Sequence, residues 1–346
     1  MKIDGYSIGV NFGLPSKLDD STIQEDDLKR IAAWNMDHIR VNMSHPVLID
    51  ESDNSFRDDG FVILDSIVEW AERHGLNVIM DLHTCPGYHF MYDENWPERG
   101  TNTLLTDRAT QDNFIDIWRF FAHRYAAHEG TVAFELLNEV VFDPENRWNK
   151  IVHRTVKEIR SINPNRVIVY GGKYYNNINF LKDLDVFGDD DRIIYTYHFY
   201  LPSFITHQNA SWHRQMMIYK EEVGEVVQYP GPIPKVKEFL DNHPEYKEFE
   251  DRYIGVTLDR DFMWNVDCRP AVEFLESHDV SLYCGEFGCY SQCPRTTRVN
   301  YLRDLIGFLR HWDIGMGYFN YKGDGFGLVA SDGTEDKELL KILLDA

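Results

Sequence analysis

The sequence predicts an α/β protein, a (β/α)8 TIM barrel with a small, mostly helical insertion after the sixth strand. Three observations carry that prediction. Eight short apolar stretches recur along the 346 residues, and most are separated by segments of helical periodicity, as parallel neighbours in a sheet require. The length suits one barrel with an insertion. Finally, the apolar stretches end repeatedly on polar side chains, which the Val, Ile and Leu interior of a barrel does not call for.

In order, residues 8–12 read as a first strand, followed by a helix around 25–34. Residues 38–43 are a second strand, and the helix over 61–74 stops at Gly75, a residue suited to the left-handed position after a helix. The third strand is 77–83; a long loop with Pro86-Gly87 and Trp96-Pro97 precedes a helix over 107–127. The fourth strand lies in 131–138, and its helix, 147–163, is stopped by Pro164. Strands five to eight are 167–172, 193–200, 281–288 and 315–321.

Residues 1–346 are expected to form a single catalytic barrel, with 202–266 as an insertion subdomain. That connection holds Pro202, Pro230, Pro232, Pro234 and Pro244 with several helix-length segments, too long for a plain loop. It is expected to wall one side of the substrate cleft.

A net charge of −22 disfavours nucleic acid as a partner, since phosphate binding needs clustered Lys and Arg. The five cysteines (Cys85, Cys268, Cys284, Cys289, Cys293) are odd in number and lack framework or zinc-ligand spacing. Free thiols are the expectation. Residues 1–6 show no apolar leader and no stretch is long enough to span a bilayer. The expected protein is a monomer with no membrane partner, cytoplasmic, or secreted if a leader was removed.

The strand ends present Arg40, His83, Asn138, Glu139, His198, Tyr200 and Glu286. Singly each has a bland reading, a core histidine or a buried acid's counter-ion. Together they need a joint explanation, and the two glutamates supply one. Retaining cleavage of a glycosidic bond uses a nucleophile and an acid/base roughly 5–5.5 Å apart. Glu286 would attack the anomeric carbon, and Glu139 would protonate the leaving oxygen and later deprotonate water. Arg40 is the expected cationic partner of Glu286, with Tyr283 or Tyr200 as hydrogen-bond donor. Asn138 is placed to hold the sugar 2-hydroxyl.

The chain resembles glycoside hydrolase family 5, the cellulase family, over nearly its whole length, and clostridial-type endoglucanases within it. The matching pieces are His38-Ile39-Arg40, Asp81-Leu82-His83 with Pro86-Gly87, Phe134 to Glu139, Tyr197 to Tyr200, and Tyr283 to Gly288. Thr206-His207-Gln208 and Trp212 match that subgroup as well. The resemblance implies Glu139 as acid/base and Glu286 as nucleophile on strands four and seven. Arg40, His83, Asn138, His198 and Tyr200 then surround the sugar being cleaved. Two positions depart from the family: Val140 follows Glu139 where proline is common, and Phe319 stands where a tryptophan usually floors the site. Tyr88, Trp96, Trp148, Phe204 and Trp212 are further candidates for sugar stacking, with packing under loops the competing reading for each; Trp212 is favoured because it lies in the insertion.

The expected substrate is β-1,4-linked glucan, including mixed-linkage β-glucan, cleaved within the chain. The alternatives are β-mannan and an exo-acting β-glucosidase or β-1,3-glucanase. A metal-dependent hydrolase built on Asp81, His83 and His198 is disfavoured, as is a non-enzymatic carbohydrate binder. The carboxylate pair calls for no cofactor and no metal.

Overall fold

The structure, a computed structural model, describes residues 3–18, 22–91, 102–143 and 145–345. Trp96 and Pro97 lie outside the described residues. Eight strands close into a barrel in chain order: β1 (Ile8–Gly13), β2 (His38–Met43), β3 (Asn77–Leu82), β4 (Val132–Glu135), β5 (Ile168–Gly171), β6 (Ile193–Phe199), β7 (Ser281–Phe287) and β8 (Gly315–Tyr318). The pairings from β1 through β6 are parallel. The expected barrel is thus the observed fold.

Helices α1 (Glu25–Ala33), α2 (Asp58–Arg73), α3 (Arg108–Arg124) and α4 (Arg147–Ile162) follow the first four strands as crossovers. Their sequences explain why. In α4 the buried residues Trp148, Ile151, Val152, Thr155, Val156 and Ile159 recur at spacings of three and four, one stripe of a helix. Asp107 caps α3 by accepting a hydrogen bond from the Thr110 amide at 2.7 Å. Inside the barrel, Ile79, Ala133, Val169, Ile194 and Tyr283 pack with Ile3, Tyr6 and Val167, all buried. Each such aliphatic side chain contributes about 1.5–3 kcal/mol.

Two strands stop three residues earlier than expected. The fourth ends at Glu135, and its exit is irregular for an identifiable reason. The amides of Phe134 and Leu136 donate to the Val167 and Val169 carbonyls beside them, but the Asn138 amide donates to Leu82 on β3 at 3.1 Å. Residues two apart in a regular strand face the same neighbour. The chain therefore turns over between Leu136 and Asn138, which re-aims the side chains that follow. The eighth strand ends at Tyr318, one residue before Phe319.

Contacts divide the chain into two compact units. One holds Met1–His198, Phe274–Gly285 and Ile314–Gly317; the other holds Phe199–Glu273, Glu286–Asp313 and Tyr318–Ala346. The first contains the body of the barrel. The second contains helices Arg214–Glu222, Val236–Asn242 and Arg295–His311, with shorter turns of helix between them.

Candidate active site

Above the apolar layer the barrel interior turns polar. Arg40 on β2 and Glu135 on β4 are both fully buried, and they pair as two forks: Nε to Oε2 at 2.6 Å and Nη2 to Oε1 at 2.8 Å. The guanidinium also donates to Asn11 Oδ1 at 2.7 Å and to Asn138 Oδ1 at 2.9 Å, and Asp81 Oδ2 lies 3.2 Å away. Asn11 passes the network on, its amide donating to the Gly285 and Gly317 carbonyls at 3.0 and 3.1 Å. Gly317 has to be glycine, because a Cβ there would lie 2.3 Å from the Tyr283 hydroxyl. His83 Nδ1 is held by Asp81 Oδ2 at 2.6 Å. With its oxygen taken by Arg40, Asn138 has its NH2 group to offer a hydroxyl.

Glu139 leaves β4 through the turned-over segment. Its carbonyl accepts a hydrogen bond from the Tyr88 hydroxyl, which in turn accepts the Val141 amide at 2.9 Å. From the β5 side, the amides of Tyr174 and Tyr175 donate to the Val141 and Val140 carbonyls at 2.9 and 3.0 Å. The segment is clamped from both flanks. The Glu139 carboxyl itself meets His198 Nδ1 of β6 at 2.8 Å. Burial, reinforced by the positive charge of Arg40 and by His83, pushes the His198 pKa well below the usual imidazole value. The ring is therefore neutral at physiological pH, a hydrogen-bonding partner rather than a counter-ion.

Glu286 stands near the end of β7 and is buried. Of its two expected donors the structure selects Tyr200, whose hydroxyl donates to Oε2 at 3.2 Å. Tyr283 is engaged elsewhere: its hydroxyl pairs with His38 Nε2 at 2.7 Å, and His38 Nδ1 pairs with Asp37 at 2.7 Å. Tyr200 is held by Thr206 Oγ1, which donates to its carbonyl at 2.6 Å, and by the edge of His207 at 5.0 Å between centroids. Burial lowers the pKa of His207 to about 3 and of His213 to about 4, so both present neutral rings. Phe326 gathers this wall, with His207, Tyr290 and Phe319 all within 6 Å of its centroid.

Among the aromatic candidates, Trp212 is 47 % exposed and edge-on to Tyr290 at 4.7 Å. Phe319 is half-buried. Tyr88, Trp148 and Phe204 are core residues; Trp148 even turns its indole N–H inward to the Gly171 carbonyl at 2.9 Å. The five cysteines are buried and none is in a disulfide.

One side-chain atom from each of Glu139, His198 and Glu286 lies within 4.8 Å of the others. Two carboxylates this close match the roughly 5–5.5 Å of double displacement and not the roughly 6.5–9.5 Å that leaves room for an attacking water. The same three atoms have a spacing that a cation would accept.

Two residues of this arrangement, Glu135 and Asn11, had no assigned role in the sequence reading, and two had a different one: Asp81 as a disfavoured metal ligand and Tyr88 as a sugar-stacking candidate. A signal existed for Glu135, a carboxylate inside the otherwise apolar run 132–137. Tyr88 gave none, since its hydroxyl acts on a backbone 51 residues away.

Comparison with known proteins agrees with this geometry. The family described as Cellulase (glycosyl hydrolase family 5) matches residues 3–325. Endoglucanase C of Acetivibrio thermocellus is 37% identical over 327 residues, covering 94% of this chain and 91% of that protein. Endoglucanase C307 of Clostridium sp. (strain F1) has the same identity and coverage, and Cellodextrinase A of Ruminococcus flavefaciens is 30% identical over 83% of this chain and 77% of its own. Among solved structures, endoglucanase Cel5A from the hyperthermophilic Thermotoga maritima superposes with a TM-score of 0.74 at 21% identity, over 98% of this chain and 97% of the other. At that identity the likeness is one of fold.

Proposed function

The chain belongs to glycosyl hydrolase family 5 and is a glycoside hydrolase; from that premise we propose that it is a retaining endo-β-1,4-glucanase with Glu286 as nucleophile and Glu139 as acid/base. The observation that carries the reading is the approach of the two carboxylates within 4.8 Å, one on β7 and one at the exit of β4.

Glu286 attacks the anomeric carbon while Glu139 gives its proton to the departing oxygen. The bond to the leaving sugar breaks as the glycosyl–enzyme ester forms. In the second half Glu139 takes a proton from water, whose oxygen then displaces Glu286. Neutral His198 suits both halves, because it can hydrogen-bond Glu139 with or without its proton and adds no charge. The Tyr200 hydroxyl steadies the attacking oxygen. Asn138 and His83, braced by Arg40 and Asp81, are proposed to bind hydroxyls of the sugar being cleaved, and Phe319 and Trp212 to offer it and its neighbour aromatic faces. Preorganised donors of this kind need no rearrangement during reaction. Two relatives at 37% identity are named endoglucanases, which supports a glucan as substrate.

Reducing-sugar release from β-1,4-glucan tests the assignment. Glu286→Gln should abolish it while binding persists. Glu139→Ala should slow poor leaving groups by about 10²–10⁴-fold, spare activated aryl glycosides, and recover in part with azide. Equal loss on both substrates would remove Glu139 from its acid role.

A second reading rests on the same three atoms: a divalent cation held by Glu139, His198 and Glu286. A strong chelator separates the two. Activity is expected to survive it; loss that added metal restores would transfer the chemistry to the ion.

A further inference from the structure

The helix Arg295–His311 turns one arginine inward, and the reaction as described gives it no task. Arg298 is 7% exposed, and among the described residues it forms no ion pair. Asp336 feels its charge, yet that carboxylate is gripped by Arg295 at 2.7 Å and by the Leu339 amide at 3.0 Å. Arg298 Nε is buried without a hydrogen-bond partner. The bonds Arg298 does make come from Nη2, which donates to the Tyr318 hydroxyl at 3.3 Å and to the Phe326 carbonyl at 3.2 Å. The Tyr318 hydroxyl donates to the same carbonyl at 3.0 Å. Burying a guanidinium away from any carboxylate is unfavourable. Its visible consequence is a fixed Phe326.

That residue needs fixing. Phe326 stands between Gly325 and Gly327, which bring no side chains to pin the turn, and glycine gives the backbone its widest freedom. A Cβ on Gly327 would lie 2.3 Å from the Gly323 carbonyl, so the turn cannot be stiffened by a larger residue there. The Phe326 ring is itself buried, behind two more open rings. Phe319 lies 5.7 Å from it and Trp212 6.4 Å, between centroids. These are the two aromatic faces assigned above to the glucan. One buried ring backs both.

We propose that Arg298 is a positioning residue for substrate affinity: it holds the Phe326 carbonyl, and through the Phe326 ring it sets the Phe319 and Trp212 faces against which the glucan rests. This rests on the glucanase reading. Tyr318 shares the task through its hydroxyl. An aromatic face that binds the sugar alike before and during the reaction contributes to KM and not to kcat. A displaced wall therefore raises KM.

Steady-state kinetics on cellopentaose test this. Arg298→Met keeps the length of the side chain and removes a buried charge, an exchange that protein interiors tolerate. It should raise KM by about 5-fold, with kcat within about 2-fold of wild type. A merely less stable protein would behave oppositely, because unfolded molecules subtract from kcat and leave KM alone. Arg298→Lys supplies its donor from a single nitrogen, as Nη2 does, and should keep KM within about 2-fold of wild type. Phe326→Leu should raise KM by a factor similar to Arg298→Met, and the two together should exceed either alone by less than about 2-fold. An unchanged KM in Arg298→Met, a Lys variant no better than Met, or full multiplication of the two effects would each overturn the proposal alone. So would a fall in kcat at constant KM, the mark of lost folded enzyme. A wild-type protein that cleaves neither cellopentaose nor any other β-1,4-glucan would overturn it together with the glucan reading.

Discussion

Arg40 and Glu135 put two opposite charges where no water reaches. Their fork-to-fork geometry and the added bonds to Asn11, Asn138 and Asp81 offset the cost of desolvation. Removing one partner leaves the other buried and uncompensated, which costs about 3–5 kcal/mol. Glu135→Ala should therefore lower the unfolding free energy by that amount in urea denaturation, and lower activity with it by freeing Asn138. An unchanged midpoint would mean that Asp81 alone neutralises Arg40. At this scale the sequence was readable where chemistry marks a residue by type and position: Glu139 and Glu286 close apolar runs, and the structure brings an oxygen of each within 4.8 Å of the other. Partner choice was not readable. Tyr283 and Tyr200 looked equivalent as donors to Glu286, and only the fold engages one of them with His38.

Among the elements, β4 is the instructive one. Its apolar run was legible, but the turnover between Leu136 and Asn138 was not, because it depends on which neighbouring carbonyl each amide finds. The segment between β6 and β7 has electrostatics of its own. Burial raises Glu250 from 4.5 to about 7 and Asp267 from 3.8 to about 6. Both bind more protons folded than unfolded across that range, so their contribution to stability is complete at low pH and is lost as pH rises through 6 to 7. His207 and His213 oppose them: lowered to about 3 and 4, they favour the fold above the ordinary imidazole value and lose that contribution as pH falls below it. Glu250→Gln should thus gain on the wild type as pH rises from 5 to 8, with a ceiling of ~3 kcal/mol. Urea unfolding at the two pH values measures this; a difference independent of pH would show that Glu250 does not titrate in the folded protein.

For the molecule as a whole, a charge of −22 on an enzyme proposed to act on a neutral polymer implies recognition through contact, not electrostatic steering. No helix among the described residues is long and apolar enough to cross a membrane. The sequence by itself determined the number and order of strands, their alternation with helices, and which ones end on ionisable groups. Those properties reside in local hydrophobic pattern and residue type, so they survive without any knowledge of neighbours. The tertiary structure alone decided that Arg40 forks onto Glu135, that Tyr88 holds the Glu139 backbone from 51 residues away, and that Tyr174 and Tyr175 bend left-handed with their amides on Val141 and Val140. Each of those depends on strand register and on hydrogen-bond partners remote in the chain, and the closure of the barrel is what brings them within reach.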